Sequence, residues 1–323
     1  MARPRQDLAG ETIAPDERAV TAEFIAFLQS ASTSRYPTGP LRRFNQARHS
    51  GCVEGELLVV NGLDSNLRIG AFSEPRSYPA WIRFASAASA SDRAKDVRGM
   101  SIKLLRVPGE NLTPGETSQD FILNSHPVMM VPGTREFLEL LRAVEGGTMG
   151  KARYFLSHPK AARIAFASRE HPSSHLDIPY WSTTPYQFGT GRAVKYIVRP
   201  TPRVHARKPN VTDTYLHDAL RQRLSTDEAS FDFFVQFQID ATRMPIEDAS
   251  VEWKERESPY VRVARLRIPR QDIDVPGRDR ACERMAFNPW HCLAEHRPLG
   301  NMNRARREIY EAMSRFRQSR QVG

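Results

Sequence analysis

The chain has 323 residues, of which 40% are hydrophobic and 26% are charged, and its formal net charge is +10 at pH 7. This length and composition suit one large core, and no internal repeat or low-complexity block is present. There is no run of eighteen apolar residues and no apolar leader segment. We therefore expect no membrane span, no secretory signal and a cytoplasmic location.

The first predicted element is an amphipathic helix close to the N-terminus. Residues 1–13 are polar, and apolar side chains then recur at helical spacing between Asp16 and Gln29. Short apolar or alternating runs follow, each bounded by glycine, proline, asparagine or serine, which is typical of strands. Four strands are predicted in this half: Glu56–Val60, Trp81–Phe84, Ser101–Val107 and Phe121–Asn124.

The second half begins with helical spacing and returns to strands. Helices are predicted over Thr134–Val144 and near Met149–Arg169. A slip in the last alternating run suggests a bulge near Ala264. The three strands predicted here are Val194–Val198, Phe231–Ile239 and Val261–Ile268. Strand count and order together predict an α+β fold in which helices surround an antiparallel β-barrel.

The cysteines give little indication of a covalent framework. Cys52, Cys282 and Cys292 form an odd and sparse set, so we expect reduced thiols. His291 and His296 lie near the last two cysteines, but their spacing matches no paired zinc-ligand pattern, and no zinc site is predicted.

The last predicted helix, Asn303–Arg317, has an unusual polar face. Arg306, Tyr310 and Arg317 are spaced by four and seven residues, so they share one side of the helix. Tyrosine binds haem iron as its phenolate, and a guanidinium one turn earlier would lower the phenol pKa. A second arginine on this face could pair with a haem propionate. The alternative is a basic surface helix whose tyrosine only packs against its neighbours.

These residues resemble the proximal motif of the catalase superfamily, especially its short catalase-related peroxidase branch. Phe287–Trp290 and Arg297–Gly300 resemble the passage into that helix. Upstream, Trp81–Ser86 resembles the strand that carries a propionate-binding arginine, here Arg83. Two further segments resemble the family's distal region: Asp96–Lys103, and Gln119–Val128, which would supply a distal asparagine at Asn124. The likeness covers roughly residues 35 to 320 in the family's order.

The likeness fails at the distal histidine. The run from Arg43 to Cys52 matches the family's propionate arginine at Arg43, but Gln46 stands in the histidine position, and Ala85 replaces the serine that would contact it. A carboxamide has no pKa near neutrality and cannot take a proton from bound peroxide. His49 is three residues further on, and strand alternation would turn it to the opposite face from Gln46. His126 is a second possible replacement.

The resemblance therefore implies a haem b enzyme with a divergent distal side. It would consist of an N-terminal arm with a helix (1–34) and a catalase-like haem-binding domain (35–323). Tyr310 would be the iron ligand and Arg306 would tune it. Arg43, Arg83 and Arg317 would bind the propionates. Phe44 and Phe84 would pack on the porphyrin, and Gln46 and Asn124 would be the distal amides.

The implied activity is that of an oxidoreductase acting on organic hydroperoxides, as a peroxidase or a hydroperoxide-transforming enzyme, with only weak catalase activity on hydrogen peroxide. A haem-dependent oxygenase of a biosynthetic pathway and a non-catalytic haem-binding protein are alternatives. The positive charge also raises nucleic-acid binding, but arginines are spread along the chain and no recognition motif accompanies them. We expect no nucleic-acid partner, and a monomer or homodimer because the N-terminal arm is short.

Overall fold

The computed structural model describes residues 10–89, 91–201 and 211–320. The strands in these ranges are β1 (Arg48–Val59), β2 (Ser77–Ser86), β3 (Arg98–Leu104), β4 (Gln119–Asn124), β5 (Tyr180–Trp181), β6 (Tyr186–Gln187), β7 (Ala193–Pro200), β8 (Ala229–Phe237) and β9 (Val261–Ile268). The helices are α1 (Glu17–Arg35), α2 (Thr134–Glu145), α3 (Gly147–Ser157), α4 (Pro159–Ala167), α5 (Tyr215–Thr226), α6 (Arg278–Arg284) and α7 (Asn301–Ser319).

These strands form one antiparallel sheet in the order β5, β4, β3, β2, β1, β9, β8, β7, β6. β5 also pairs with β7, which closes eight strands into a barrel and leaves β6 attached to β7 outside the ring. The predicted antiparallel barrel with surrounding helices is confirmed. So is the bulge near Ala264, where the pairing of β8 with β9 shifts by one residue.

Side chains fill the inside of the barrel. Along β2, the alternate residues Tyr78, Ile82 and Phe84 are buried in the main hydrophobic core, and Phe231 and Phe233 of β8 meet them from the far wall. The interior is therefore a packed core. A functional site on this wall has to use the outward-facing positions, which include Arg83.

The helices α1, α2 and α7 pack against one another, whereas α5 and α6 lie against β1. Arg304 of α7 donates hydrogen bonds to Glu11, Glu17 and Glu247 at 2.7–2.9 Å, so one guanidinium joins three distant segments. Burial opposes protonation of Arg304, but these hydrogen bonds outweigh it and raise its pKa. This network fixes the start of α7 to the N-terminal segment and to the segment between β8 and β9. No helix among the described residues is long and apolar enough to cross a membrane.

Gly300 sets the point at which the chain enters α7. Its φ is +86°, and a Cβ added there would collide with the backbone carbonyl oxygen of Ile246. We expect Gly300→Ala to lower the free energy of unfolding by about 3 kcal/mol, from the left-handed backbone and the collision together. Gly62→Ala is the matched control, because Gly62 has a φ of +73° and open space around it. It should cost about 1 kcal/mol. Equal urea midpoints for the two variants would rule out the collision.

Candidate active site

Three arginines from separate parts of the chain lie around one carboxylate, and two of them contact it. Arg43 precedes β1, Arg83 lies on β2 and Arg317 lies near the end of α7. Arg43 Nη1 donates to Glu283 Oε2 at 2.6 Å, and Arg83 Nη2 donates to Glu283 Oε1 at 3.2 Å. Arg317 is only 6% exposed, and its charge acts on both Arg83 and Glu283. Residues predicted to share a site are thus close together in space.

The cluster has an excess of buried positive charge. Burial, aided by the neighbouring charge of Arg43, lowers the pKa of Arg83 to about 9 and that of Arg317 to about 10. Burial alone would raise the pKa of Glu283, but the charges of Arg43 and Arg83 outweigh it and lower that pKa. At neutral pH all four groups are ionised. The excess positive charge therefore favours the binding of another carboxylate at this cluster.

The two predicted distal amides are also in contact. Gln46 Nε2 donates to Asn124 Oδ1 at 3.3 Å, and the backbone carbonyl of Gln46 accepts from Arg83 Nη2 at 2.8 Å. Gly99 lies opposite Asn124 in the sheet, and a Cβ there would collide with the side chain of Gln46. Gly99 thus leaves the space that Gln46 needs. The arginine cluster and the amide pair are adjoining parts of one surface.

His49 faces this surface, and the prediction that it points away from Gln46 is wrong. Gln46 precedes β1 and has a φ of +56°, so the alternation of a strand does not extend back to it. His49 pairs with Ala85, two residues along from Arg83, and its Nε2 lies 3.9 Å from Glu283 Oε1. Burial, with the charge of Arg83, lowers the pKa of His49. His126, beyond the end of β4, is partly buried, and burial lowers its pKa too.

Tyr310 and Arg306 lie on α7, opposite the barrel wall. Both are close enough to Tyr186 for their charges to act on it, and Tyr310 also acts on Arg43. The guanidinium of Arg306 is buried and donates to Thr184 Oγ1 and Asn303 Oδ1, each at 3.1 Å. These bonds hold Arg306 one turn from Tyr310 without a hydrogen bond between the two.

The two predicted porphyrin-packing rings lie in different places. Phe84 is fully buried inside the barrel, where it stacks on His175 at 5.3 Å between ring centroids. Phe84 is predicted to pack on the porphyrin, but it points to the opposite face of β2 from Arg83, because adjacent strand residues alternate. A ligand beside Arg83 outside the barrel would therefore not contact its ring. Phe44 packs beside α1, with its ring centroid 6.2 Å from that of Phe27 and the guanidinium of Arg35 above it at 4.1 Å.

Comparison with solved structures gives the same architecture in three catalases. A fungal catalase matches with a TM-score of 0.69 and 16% identity over 90% of this chain. Catalase A from Saccharomyces cerevisiae matches with a TM-score of 0.70 and 16% identity over 89%. A bacterial catalase matches with a TM-score of 0.70 and 15% identity over 98%.

The chain has a catalase-like fold. It spans 62–63% of the length of these catalases, so it corresponds to part of each. No protein-family model matches the sequence, and no curated protein matches it by sequence. The fold that the motif resemblance implied is thus confirmed.

Three residues at the edge of this surface, Cys52, Cys282 and Glu283, were not predicted to take part in it. Cys52 of β1 and Cys282 of α6 are joined in a disulfide across 230 residues of sequence, so the prediction of reduced thiols is wrong for this pair. Cys292 is free and buried, and burial raises its pKa. Glu283 follows Cys282 directly. The only sequence signal for Glu283 is a charged residue in a short polar segment, which is a common surface pattern.

Proposed function

We propose that this chain binds haem b between the outer barrel wall and α7, and that it acts on peroxides as a haem-dependent oxidoreductase. The observation that carries this proposal is the convergence of Arg43, Arg83 and Arg317. Buried like charges are costly unless anionic groups accompany them. The two propionates of haem b are such groups, and arginine binds carboxylates in a fork geometry.

Buried polar atoms without a hydrogen-bond partner support the binding of a ligand at the arginine cluster and the amide pair. Among the described residues, Gln46 Oε1, His49 Nδ1, Arg83 Nε and Arg317 Nε are buried without a hydrogen-bond partner. Buried polar atoms are nearly always hydrogen-bonded, and four exceptions belong to one surface. The residues present therefore suit a flat ligand that carries carboxylates at one edge.

Tyr310 is the residue that would hold the iron. It lies on α7 facing the region between Arg43 and Tyr186, and the phenolate of tyrosine is an established haem ligand. Arg306 lies buried one turn earlier on the same helix. When bound, haem would supply the redox chemistry of iron towards the O–O bond.

The distal amides determine which peroxides this chain would handle. Gln46 and Asn124 can orient a hydroperoxide through hydrogen bonds, but neither amide accepts a proton near neutral pH. His49 faces the same surface, but among the described residues its contact is with Glu283 at 3.9 Å and not with either amide. The absence of a general base beside the amides should cost about two to four decades in rate. Fast dismutation of hydrogen peroxide is therefore not expected. Organic hydroperoxides, held by the amides and by contacts with the rest of the molecule, are the proposed substrates.

The test is reconstitution of the purified chain with haem. We expect one haem per chain, a five-coordinate ferric tyrosinate absorption spectrum, a change of that spectrum with cumene hydroperoxide, and turnover of a reducing dye. Oxygen release from hydrogen peroxide should be at least 100-fold slower than from a catalase assayed beside it.

Three results would change the proposal. Failure to bind haem stoichiometrically would overturn it. Stoichiometric binding without any peroxide reaction would leave a non-catalytic haem-binding protein. Consumption of oxygen with a reductant, in the absence of peroxide, would point to an oxygenase.

A further inference from the structure

The carboxylate of Glu283 takes the hydrogen-bond donors that a carboxylate ligand of the arginine cluster would need. Its two oxygens lie 2.6 Å from Arg43 Nη1 and 3.2 Å from Arg83 Nη2. The side chain of Arg83 is only 2% exposed. A second carboxylate therefore cannot use these donors while Glu283 does.

A covalent bond holds Glu283 in this position. The preceding residue, Cys282, is joined to Cys52 on the barrel wall, and both cysteines are buried with Phe287. Arg43 Nη2 also donates to the backbone carbonyls of Cys282 and Met285, at 3.3 and 2.8 Å. The end of α6 is thus held on both sides of Glu283. The disulfide joins Cys282 to β1, and Arg43 binds the backbone carbonyls of Cys282 and Met285.

We propose that Glu283 is an internal carboxylate that closes the arginine cluster, and that the Cys52–Cys282 disulfide keeps it closed until a dithiol reductant releases α6. The proposal rests on the proposed function, because the ligand kept out is the propionate edge of a porphyrin. Closure and ligand binding compete for the same donors. The apparent affinity for the ligand is then reduced by the fraction of molecules that are open.

The switching reaction is a thiol–disulfide exchange. Both cysteines are buried, so a dithiol such as dithiothreitol attacks one sulfur when α6 opens locally. A mixed disulfide forms, and the second thiol of the reductant completes the exchange. Cys52 and Cys282 gain two electrons and two protons to become thiols, and the reductant becomes a cyclic disulfide. Reduction does not change the carboxylate of Glu283, but it breaks the covalent bond that joins α6 to β1. In reducing compartments such disulfides are usually transient and redox-sensing.

Glu283→Gln distinguishes a closing residue from a merely structural one. The amide keeps the size of the side chain but loses the charge that pairs with Arg43 and Arg83. We expect the melting temperature of the ligand-free protein to fall, because buried guanidinium groups lose their anion. We also expect porphyrin to bind at least about tenfold more tightly, since the donors are freed. A structural residue would move both quantities in the unfavourable direction.

The ligand for these measurements is iron-free protoporphyrin IX, followed by fluorescence, with haem titrated in parallel. The iron-free porphyrin carries the same propionates but cannot use Tyr310 as an iron ligand, so it reports on the arginine cluster alone. Glu255→Gln is the matched control, because Glu255 accepts from both guanidinium nitrogens of Arg199 at 3.1 and 2.7 Å on an exposed surface. It should leave porphyrin binding unchanged.

The disulfide is tested by reduction and by Cys282→Ser, with Cys292→Ser as the control for loss of a buried cysteine. Reduced wild type and Cys282→Ser should both bind protoporphyrin IX at least about tenfold more tightly than the oxidised protein. Reduction should add little in Glu283→Gln, because the closing carboxylate is already absent and the two effects share one mechanism.

The outcomes separate failure of this inference from failure of the proposed function. Equal porphyrin affinity in the oxidised, reduced and Glu283→Gln proteins would overturn the closing role and leave the haem proposal standing. Weaker binding in Glu283→Gln would make Glu283 a supporting contact of the ligand and would also overturn the closing role. If porphyrin and haem bind to none of these forms, the proposed function fails and the closing role fails with it.

Discussion

Tyr310→Phe is expected to weaken haem binding by at least about 100-fold and to remove the tyrosinate bands from the absorption spectrum. The substitution removes one oxygen atom and keeps the ring, so the packing of α7 should survive. The other anionic oxygens described at this site belong to Glu283, which lies on α6 and accepts from Arg43 and Arg83. Loss of the phenolate therefore removes the proposed iron ligand without a replacement on the same helix face.

The measurement compares haem with iron-free protoporphyrin IX in the same variant. Because protoporphyrin IX has no iron, Tyr310→Phe should bind it with nearly the affinity of the wild type. Tyr154→Phe is the control, since the ring of Tyr154 on α3 stacks on that of His158 and its hydroxyl donates to the backbone carbonyl of Glu136. An unchanged haem spectrum in Tyr310→Phe would mean that another residue binds the iron.

The long periodic elements of this fold could be predicted because their packing imposes a period on the sequence. β9 has the same bounds in the prediction and in the structure, Val261–Ile268, and the alternating phenylalanines of β8 indicate a strand with one face in the core. α7 begins two residues before its predicted start and ends two after the predicted end. In these segments the local pattern and the tertiary environment agree.

The short strand that closes the barrel and the short helix that carries Glu283 lack such a pattern. β5 is two residues long, too short to show a period, yet it joins β4 to β7. α6 is a single short helix of mostly charged residues, and nothing in its sequence indicates that it lies against the arginine cluster. Its position follows from a disulfide between residues 230 positions apart, which a count of three cysteines cannot indicate.

The side on which a residue lies could be predicted only where the backbone is regular. Alternation along β2 puts Arg83 and Phe84 on opposite faces of the strand. The prediction that Phe84 packs on the porphyrin did not take this alternation into account. Alternation failed between Gln46 and His49, because a residue with left-handed backbone lies before the strand begins. The motif likeness selected positions along the chain. The fold decided which of them face one another.

Gln46→His is expected to raise the rate of hydrogen peroxide dismutation by the haem-loaded protein by about 10²- to 10⁴-fold. The introduced imidazole would stand beside Asn124 and could take the proton of bound peroxide, which the carboxamide cannot do. Histidine tolerates the left-handed backbone of this position better than most residues, and Gly99 leaves space for its ring. The rate should rise with pH as the imidazole loses its proton, near about pH 6.5. This step should be absent from the wild-type profile.

Gln46→Met provides the matched control, because it has similar length and no base. It should dismutate hydrogen peroxide no faster than the wild type. Adding Ala85→Ser to Gln46→His should increase the rate further if the serine hydroxyl orients the imidazole, since Ala85 lies on the same face of β2 as Arg83. Oxygen release measured with an electrode over pH 5–9 separates these cases. If Gln46→His gives no increase, the rate is limited by how peroxide is held near Asn124 and the arginine cluster, and the missing base is not the cause of slow dismutation.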